Sequence, residues 1–236
     1  MRTIVPGLLC LCLMGCVSAI PTVTGGSTTP KQRTDVALGG AIRVPTGDLR
    51  HGGPSESRAR ATADAGGVVP VAVGRYGLTR HLDLGLMVAG SVVRLDLRGE
   101  FGVTEGSTRS TWVWSIAPYG GYIGDRDDAG SGARFGLDIP LAYAIDFGGL
   151  YDVWIGPRIG IEGIVGSYDQ GTGRESASLV ALRGGAMIGM AAGFRRVHAF
   201  LEVTVAWEQQ WGSHDDLELD RGGVVLIPAF GLRVRI

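Results

Sequence analysis

The chain has 236 residues, 40 of them glycine, and a formal net charge of −1. This charge balance argues against nucleic acid as a partner, and the glycines lack the three-residue period of collagen. After residue 16 no apolar run reaches the roughly 20 residues of a transmembrane helix. The hydrophobic residues, 45% of the chain, must therefore be spread over short segments.

All three cysteines lie in the N-terminal stretch LLCLCLMGC, at positions 10, 12 and 16. Their spacing fits neither a tetrahedral zinc site nor a C-x-x-C redox pair. The stretch is instead typical of a signal peptide, because a positive start at Met1-Arg2 is followed by a short apolar core and then by the small residue Gly15.

The ending Leu13-Met14-Gly15-Cys16 resembles the lipobox of bacterial lipoproteins. The resemblance implies a lipoprotein signal peptide over residues 1–15, processing by the lipoprotein machinery and a lipid anchor on Cys16. An ordinary secretory signal that is cut later, after Ala19, is the alternative. Residues 16–33 are rich in Ser, Thr, Gly and Pro, a composition that predicts a flexible tether.

From residue 34 onward, apolar residues recur at every second position, as in the segments 135–145, 197–207 and 224–236. A period of two predicts β-strands, and no segment has a convincing helical spacing. The opposite face of these strands carries charges and glycine. An apolar face outside and a charged face inside are typical of barrels that cross the outer membrane of bacteria.

The fold class that we predict is therefore all-β: a closed antiparallel transmembrane β-barrel over residues 34–236, with about ten strands. The number depends on Ala89-Gly90-Ser91, where the apolar alternation changes phase. A bulge there leaves nine strands, whereas a turn gives ten, an even number that places both chain ends in the periplasm. Eight or twelve strands, and a soluble calycin-like barrel, are the open alternatives.

Two short motifs, VPTGD at 44–48 and GLTRHLDLG at 77–85, resemble a broad group of bacterial outer-membrane barrels that includes transporters of small apolar compounds. The resemblance implies an integral outer-membrane protein of a Gram-negative cell, whose partners are the lipid bilayer and the barrel-insertion machinery. Long polar connections are expected on the outer side at 45–66, 124–132, 166–177 and 209–222. Tryptophans are expected in the interfacial girdles at positions 112, 114, 207 and 211.

Alternation along the strands also assigns charged side chains to the interior of the barrel. They are nearly balanced in sign, and in so narrow a barrel we expect them to pair and to fill the lumen. This predicted lumen network consists of Arg43, Asp83, Arg94, Asp96, Arg98, Glu100, Arg134, Asp138, Asp146, Arg158, Glu162, Arg183, Glu202, Arg233 and Arg235.

Hydrolase and metalloprotease motifs do not occur in the sequence. His214-Asp215-Asp216 invites comparison with the omptin proteases, ten-stranded barrels with acidic and His–Asp pairs at the rim, but no opposing pair of aspartates accompanies it. We predict no catalytic residue, metal or cofactor. The expected function is a structural or surface-interaction role with a filled lumen; a narrow channel or transporter for small solutes, and a hydrolase at the rim, are the alternatives.

Overall fold

The computed structural model describes residues 20–22, 25–49, 67–124, 130–169, 174–194, 196–214 and 217–236. Within these ranges no helix is both long and apolar enough to cross a membrane. Strands account for most of them: β1 (Thr34–Pro45), β2 (Gly67–Gly77), β3 (Leu82–Ala89), β4 (Val92–Glu105), β5 (Thr108–Gly124), β6 (Gly130–Phe147), β7 (Tyr151–Asp169), β8 (Arg174–Phe194), β9 (Val197–His214) and β10 (Leu217–Arg235). One 3-10 turn, Gly47–Leu49, follows β1.

The ten strands form a closed barrel in which each strand pairs antiparallel with its neighbours in the chain. The first and last strands close it, with Val36 opposite Val234 and Ala41 opposite Ala229. The predicted closed antiparallel barrel of ten strands is confirmed. Eight and twelve strands are excluded.

The phase change at residues 89–91 is a turn. Gly90 has a φ of 58°, in the left-handed region that glycine adopts without strain, and the ladder resumes at once with Ala89 opposite Val92. The change of phase in the apolar pattern therefore marks the point where the chain reverses.

The barrel has two different ends. The start of β1 and the end of β10 lie at one of them, together with the turns at 78–81, 106–107 and 148–150 and the β8–β9 connection. We call this the terminal end, and the opposite end, which carries the connections after β1, β3, β5, β7 and β9, the loop end.

Two of the predicted long loops are corrected by the structure. Most of 166–177 and 209–222 is paired strand: Gly166 lies opposite Ala177, and Gln209 opposite Gly222. The sequence misled here because its polar residues broke the apolar alternation, whereas the backbone ladder needs only N–H and C=O groups and continues without that alternation.

The polarity of the two faces of the barrel is the reverse of that in a water-soluble protein: the outer face is apolar and the inner face is charged. Large apolar side chains point outward and are exposed, among them Ile159 and Leu232, each at 56%. Aromatic side chains are exposed near the terminal end at Tyr76, Phe101, Trp112, Phe147, Tyr151 and Phe194, and nearer the loop end at Tyr122, Trp207 and Trp211. Charged residues alternate with the outward apolar ones and are buried inside.

The chain before β1 also lies inside the barrel. Residues 20–22 and 25–29, which we call the lumen segment, are buried; Ile20 is 2% exposed and Thr29 0%. The segment enters at the terminal end, where Lys31 bridges to Gly77. The composition of residues 16–33 predicts a flexible tether, but small polar side chains also fit a narrow charged lumen, and residues 20–22 and 25–29 of this stretch lie there. Residues 1–15 and Cys16 are outside the described residues.

Candidate functional site in the barrel lumen

The structure places the predicted lumen network on the inner side of the strands. Twelve of its fifteen residues are buried, and Asp146, Arg183 and Arg235 are partly exposed. They form three groups along the barrel axis, which we name the terminal, central and loop-end clusters. Asp146 lies at the terminal rim, where it accepts a hydrogen bond from the N–H of Gly149 (2.6 Å).

The central cluster joins four strands. Arg94 contacts both Asp96 (3.4 Å) and Asp138 (3.0 Å), and Asp138 also accepts from Nε of Arg158 (2.8 Å). Asp96 is held on its other side by Arg75 (2.8 Å). Three guanidinium groups thus share two carboxylates in the middle of the lumen, and they tie β2, β4, β6 and β7 together.

The loop-end cluster is centred on Arg183, which contacts Glu162 (3.0 Å) and Glu208. Glu208 also pairs with Arg43 (2.8 Å), and the hydroxyl of Tyr119 donates to Glu162 (2.9 Å). These five residues come from β1, β5, β7, β8 and β9. They cross the lumen from one wall to the other.

The terminal cluster consists of separate pairs around the mouth. Arg98 binds Asp83 through two nitrogen atoms, at 3.0 and 2.5 Å. The other pairs are Arg109 with Glu100, Arg233 with Asp152 (3.5 Å) and Arg235 with Asp35 (3.4 Å).

Several residues of these clusters were not predicted from the sequence. Asp35, Asp152 and Glu208 share the phase of predicted residues on their own strands, so extending the alternation to the strand ends would have found them. Arg75, by contrast, could not be found by extending the alternation of charged residues along its strand. Its inward neighbours Val69, Val71 and Val73 are apolar, so the inner face of β2 resembles an outer face.

The lumen segment is bound through its main chain. Four of its N–H groups donate to four carboxylates of the wall: Thr22 to Glu202 (2.9 Å), Gly26 to Asp152 (2.6 Å), Thr28 to Glu100 (2.7 Å) and Thr29 to Asp83 (2.7 Å). These carboxylates belong to β9, β7, β4 and β3, so they reach the segment from different sides.

Carbonyl groups of the same segment accept from cations and a hydroxyl of the wall. The bonds run from Arg158 to Ile20 (2.7 Å), Arg94 to Pro21 (3.0 Å), Arg75 to Thr22 (3.4 Å), Thr111 to Gly26 (2.7 Å) and Arg98 to Ser27 (3.4 Å). The segment therefore extends from the terminal mouth to the central cluster.

Glu202 is the wall residue that holds the deepest part of the segment. It accepts from the N–H and the hydroxyl of Thr22, and its second oxygen accepts from Nε1 of buried Trp154 (3.0 Å). A Cβ at Gly189 would overlap the indole ring, so glycine at this position makes room for it. The carboxylate is thereby fixed in the orientation that binds the main chain.

Arg134 differs from the other lumen cations. It is 2% exposed, yet none of its three guanidinium nitrogen atoms has a hydrogen-bond partner among the described residues. Burying a cation without such partners costs free energy. This residue is part of the predicted network by position, but within the described chain it does not contribute a hydrogen bond to it.

Only the first residue of the triplet His214-Asp215-Asp216, which was compared with the omptin rim, lies within the described residues. His214 ends β9, and Asp215 and Asp216 lie outside the described residues. Among the residues that the structure describes, no group of three or more His, Cys, Asp or Glu side chains is arranged to hold a metal ion.

No protein-family model and no curated protein matches the chain. Solved structures with a similar fold include the outer membrane protease OmpT of Escherichia coli, with 6% identity, coverage of 89% of this chain and 98% of that one, and a TM-score of 0.47. They also include Ail, the attachment invasion locus protein of Yersinia pestis, with 11% identity, coverage of 87% of this chain and 99% of that one, and a TM-score of 0.33. Neisserial surface protein A has 11% identity, coverage of 85% of this chain and 96% of that one, and a TM-score of 0.33. At these identities the likeness concerns the fold and not the activity.

The contrast between Arg134 and Arg158 gives a matched test of the network. Arg158→Met removes a partner of Asp138 and a donor to Ile20, so we expect a loss of about 3–5 kcal/mol in the free energy of unfolding. Arg134→Met breaks no hydrogen bond of the described residues, and we expect a neutral or stabilising effect. Urea unfolding in lipid vesicles measures both. Equal destabilisation by the two substitutions would contradict this account.

Proposed function

We propose that the protein is an integral β-barrel of the bacterial outer membrane, with a closed lumen and a structural or surface-interaction role. The observation that carries the proposal is the occupied lumen. Paired charges cross it at the loop end and in the centre, and a segment of the chain itself fills the terminal half.

The outer face supports placement in a bilayer. Exposed Leu, Ile, Val and Phe side chains surround the barrel, and so large an apolar surface is not stable in water. In a bilayer the same apolar surface contacts lipid tails, which is favourable. The closed ladder also pairs the backbone N–H and C=O groups that would otherwise face lipid without hydrogen-bond partners. The exposed aromatic residues near both ends fit the interfacial girdles of such barrels.

The lumen supports a closed state. A ten-stranded barrel is only slightly wider than one that its own side chains fill, whereas barrels with wide aqueous channels have 16–18 strands. Here long side chains of both signs meet across this narrow space, and main chain occupies what remains of its terminal half.

A narrow channel is the second candidate, and one observation favours it. Besides the side chains of the wall, the terminal half of the lumen contains a segment whose described residues lie outside the ladder and continue into β1. Withdrawal of this segment would open that half while leaving the ladder intact.

The lodged segment also bears on the lipid anchor proposed for Cys16. Three residues separate Cys16 from Ile20, and the four Cα–Cα steps between them span at most about 14 Å. Ile20 is bound by Arg158, which lies seven residues from Tyr151 and eleven from Asp169. At about 3.3 Å per residue and a tilt near 40°, these are depths of roughly 18 and 28 Å.

A lipid on Cys16 would therefore not reach either leaflet while the segment occupies the lumen. Acylation at Cys16 and a lodged segment are alternative states of the N-terminus. The lodged state fits the later cleavage, after Ala19, where Val17-Ser18-Ala19 has the small residues that signal peptidases prefer.

The membrane placement predicts a depth-dependent cost for a charge on the outer face. Ile159→Arg lies in the middle of the apolar face, and we expect it to lower the free energy of unfolding in vesicles by about 2–4 kcal/mol. Ser176→Arg, which is exposed near the loop end, is the control, with an expected cost of about 0–1 kcal/mol. Similar costs at both positions would argue against a bilayer around this face.

The closed lumen predicts that the full chain does not conduct. Purified protein reconstituted in planar bilayers should show no regular current steps in salt solution, because the clusters and the segment occupy the path that water and ions would take. Reproducible unitary conductance of the wild type would overturn the closed-barrel function in favour of the channel.

Cleavage after Ala19 predicts the mass of the mature protein. Intact mass spectrometry of chain isolated from the outer membrane should show an unmodified polypeptide that begins at Ile20. Cys16→Ala should leave this mass and the membrane fraction unchanged. A chain that begins at Cys16 and carries acyl groups would instead mean that the anchored state predominates.

A further inference from the structure

The contacts of the lumen segment involve its main chain far more than its side chains. We propose that the terminal half of the lumen is a binding site for an extended polypeptide main chain, and that the lumen segment is its reversible occupant. The inference rests on the proposed closed barrel and names the ligand class of the same site.

Balanced charge makes this half of the lumen complementary to a peptide. Each residue of a main chain presents a donor and an acceptor, so a wall with a single sign of charge would satisfy only one of them. Here carboxylates accept from N–H groups, and guanidinium groups donate to carbonyl groups. The charged side chains of both signs thus pair with one another and also supply the hydrogen bonds that water would otherwise make to the main chain of the peptide.

Three of the four carboxylates that bind the segment keep an ion pair within the wall when the segment is absent, and the fourth, Glu202, keeps the indole N–H of Trp154. Asp83 keeps Arg98, Glu100 keeps Arg109, and Asp152 keeps Arg233, because these contacts are made within the wall. Arg94 and Arg158 likewise keep Asp138. Withdrawal therefore leaves no isolated charge at these pairs, a condition for reversible binding in a lumen.

Glycine is favoured where the segment passes the Arg233–Asp152 pair. A Cβ on Gly26 would overlap the carboxylate of Asp152, and a Cβ on Gly25 would overlap the guanidinium group of Arg233. Gly25 also has a φ of 63°, which favours glycine. The site thus accepts a Gly-Gly step where the Arg233–Asp152 pair narrows the lumen.

The segment can leave because it does not join the barrel ladder. Its bonds go to side chains of the wall, and its connection to β1 runs through Pro30, Lys31 and Gln32, which are exposed. Opening therefore requires only the exchange of these bonds for water, and the strands stay paired.

The first test compares amide hydrogen exchange in lipid vesicles between the full wild-type chain and Gly26→Val. The added side chain should expel the segment, so the amides of Thr22, Thr28 and Thr29 should exchange at least tenfold faster in the variant than in the wild type, while the central and loop-end clusters stay in place. Gly184→Val is the matched control: this glycine points outward, a Cβ added to it would meet no other atom within 4 Å, and the segment amides should exchange as in the wild type. A folded Gly26→Val variant whose segment amides exchange as slowly as those of the wild type would overturn the proposal.

The second test adds the ligand in trans. A fluorescently labelled synthetic peptide with the sequence of residues 20–30 should bind the Gly26→Val barrel in lipid vesicles at least tenfold more tightly than it binds the wild type, whose own segment occupies the site. The same peptide with valine in place of the second glycine should not bind. No binding of either peptide, or equal binding of both, would contradict a peptide site.

A third measurement needs no variant. In the wild type, hydrogen exchange at the amides of Thr22, Gly26, Thr28 and Thr29 should be slower than in the unfolded chain and at least tenfold faster than in the strands. Unprotected amides would show that the segment is not bound, and strand-like protection that it does not leave. Either result overturns this inference and leaves the closed barrel standing if the wild type is silent, whereas a conducting wild type overturns the proposed function itself.

Discussion

The structure depends on one constraint: a barrel with an apolar outer face must direct its charged side chains inward, and each inward charge must then find a partner in a narrow space. Arginine suits this requirement because one guanidinium group can contact two carboxylates at once. Arg94 and Arg183 both do so: Arg94 on β4 reaches Asp138 on β6, and Arg183 on β8 contacts carboxylates on both of its neighbours, β7 and β9. Lumen pairing therefore ties together strands that are not adjacent in the ladder as well as strands that are.

The same chemistry explains why polypeptide can occupy the terminal half of the lumen. Side chains that satisfy one another through hydrogen bonds also carry spare lone pairs and N–H groups, and the main chain of the lumen segment uses them. Asp83 illustrates this double use, since it binds Arg98 and also accepts from the N–H of Thr29. A lumen of mixed charge is thus both a structural core and a surface that can bind a peptide.

Much of the fold was predictable from local pattern. The phase change at Ala89-Gly90-Ser91 was enough to count the strands, and alternation placed residues such as Asp138 and Glu202 inside. Prediction failed where the pattern was absent or inverted. Polar strand ends near the loop end lack apolar alternation, and Arg75 lies on a face of β2 whose other inward residues are valines. That Arg134 makes no hydrogen bond to the described residues was not predictable either, because its phase is the same as that of its paired neighbours.

The sequence by itself determined the strands, their two faces and the antiparallel order, because these follow from a period of two and from turns between adjacent segments. Only the tertiary structure decided which charges meet, since Arg43 and Glu208 are brought together by the closure of β1 onto β10. It also decided the place of the lumen segment, residues 20–22 and 25–29. Their composition is equally suited to a free linker and to a narrow charged lumen, and the difference lies in carboxylates and guanidinium groups supplied by strands far away in the chain.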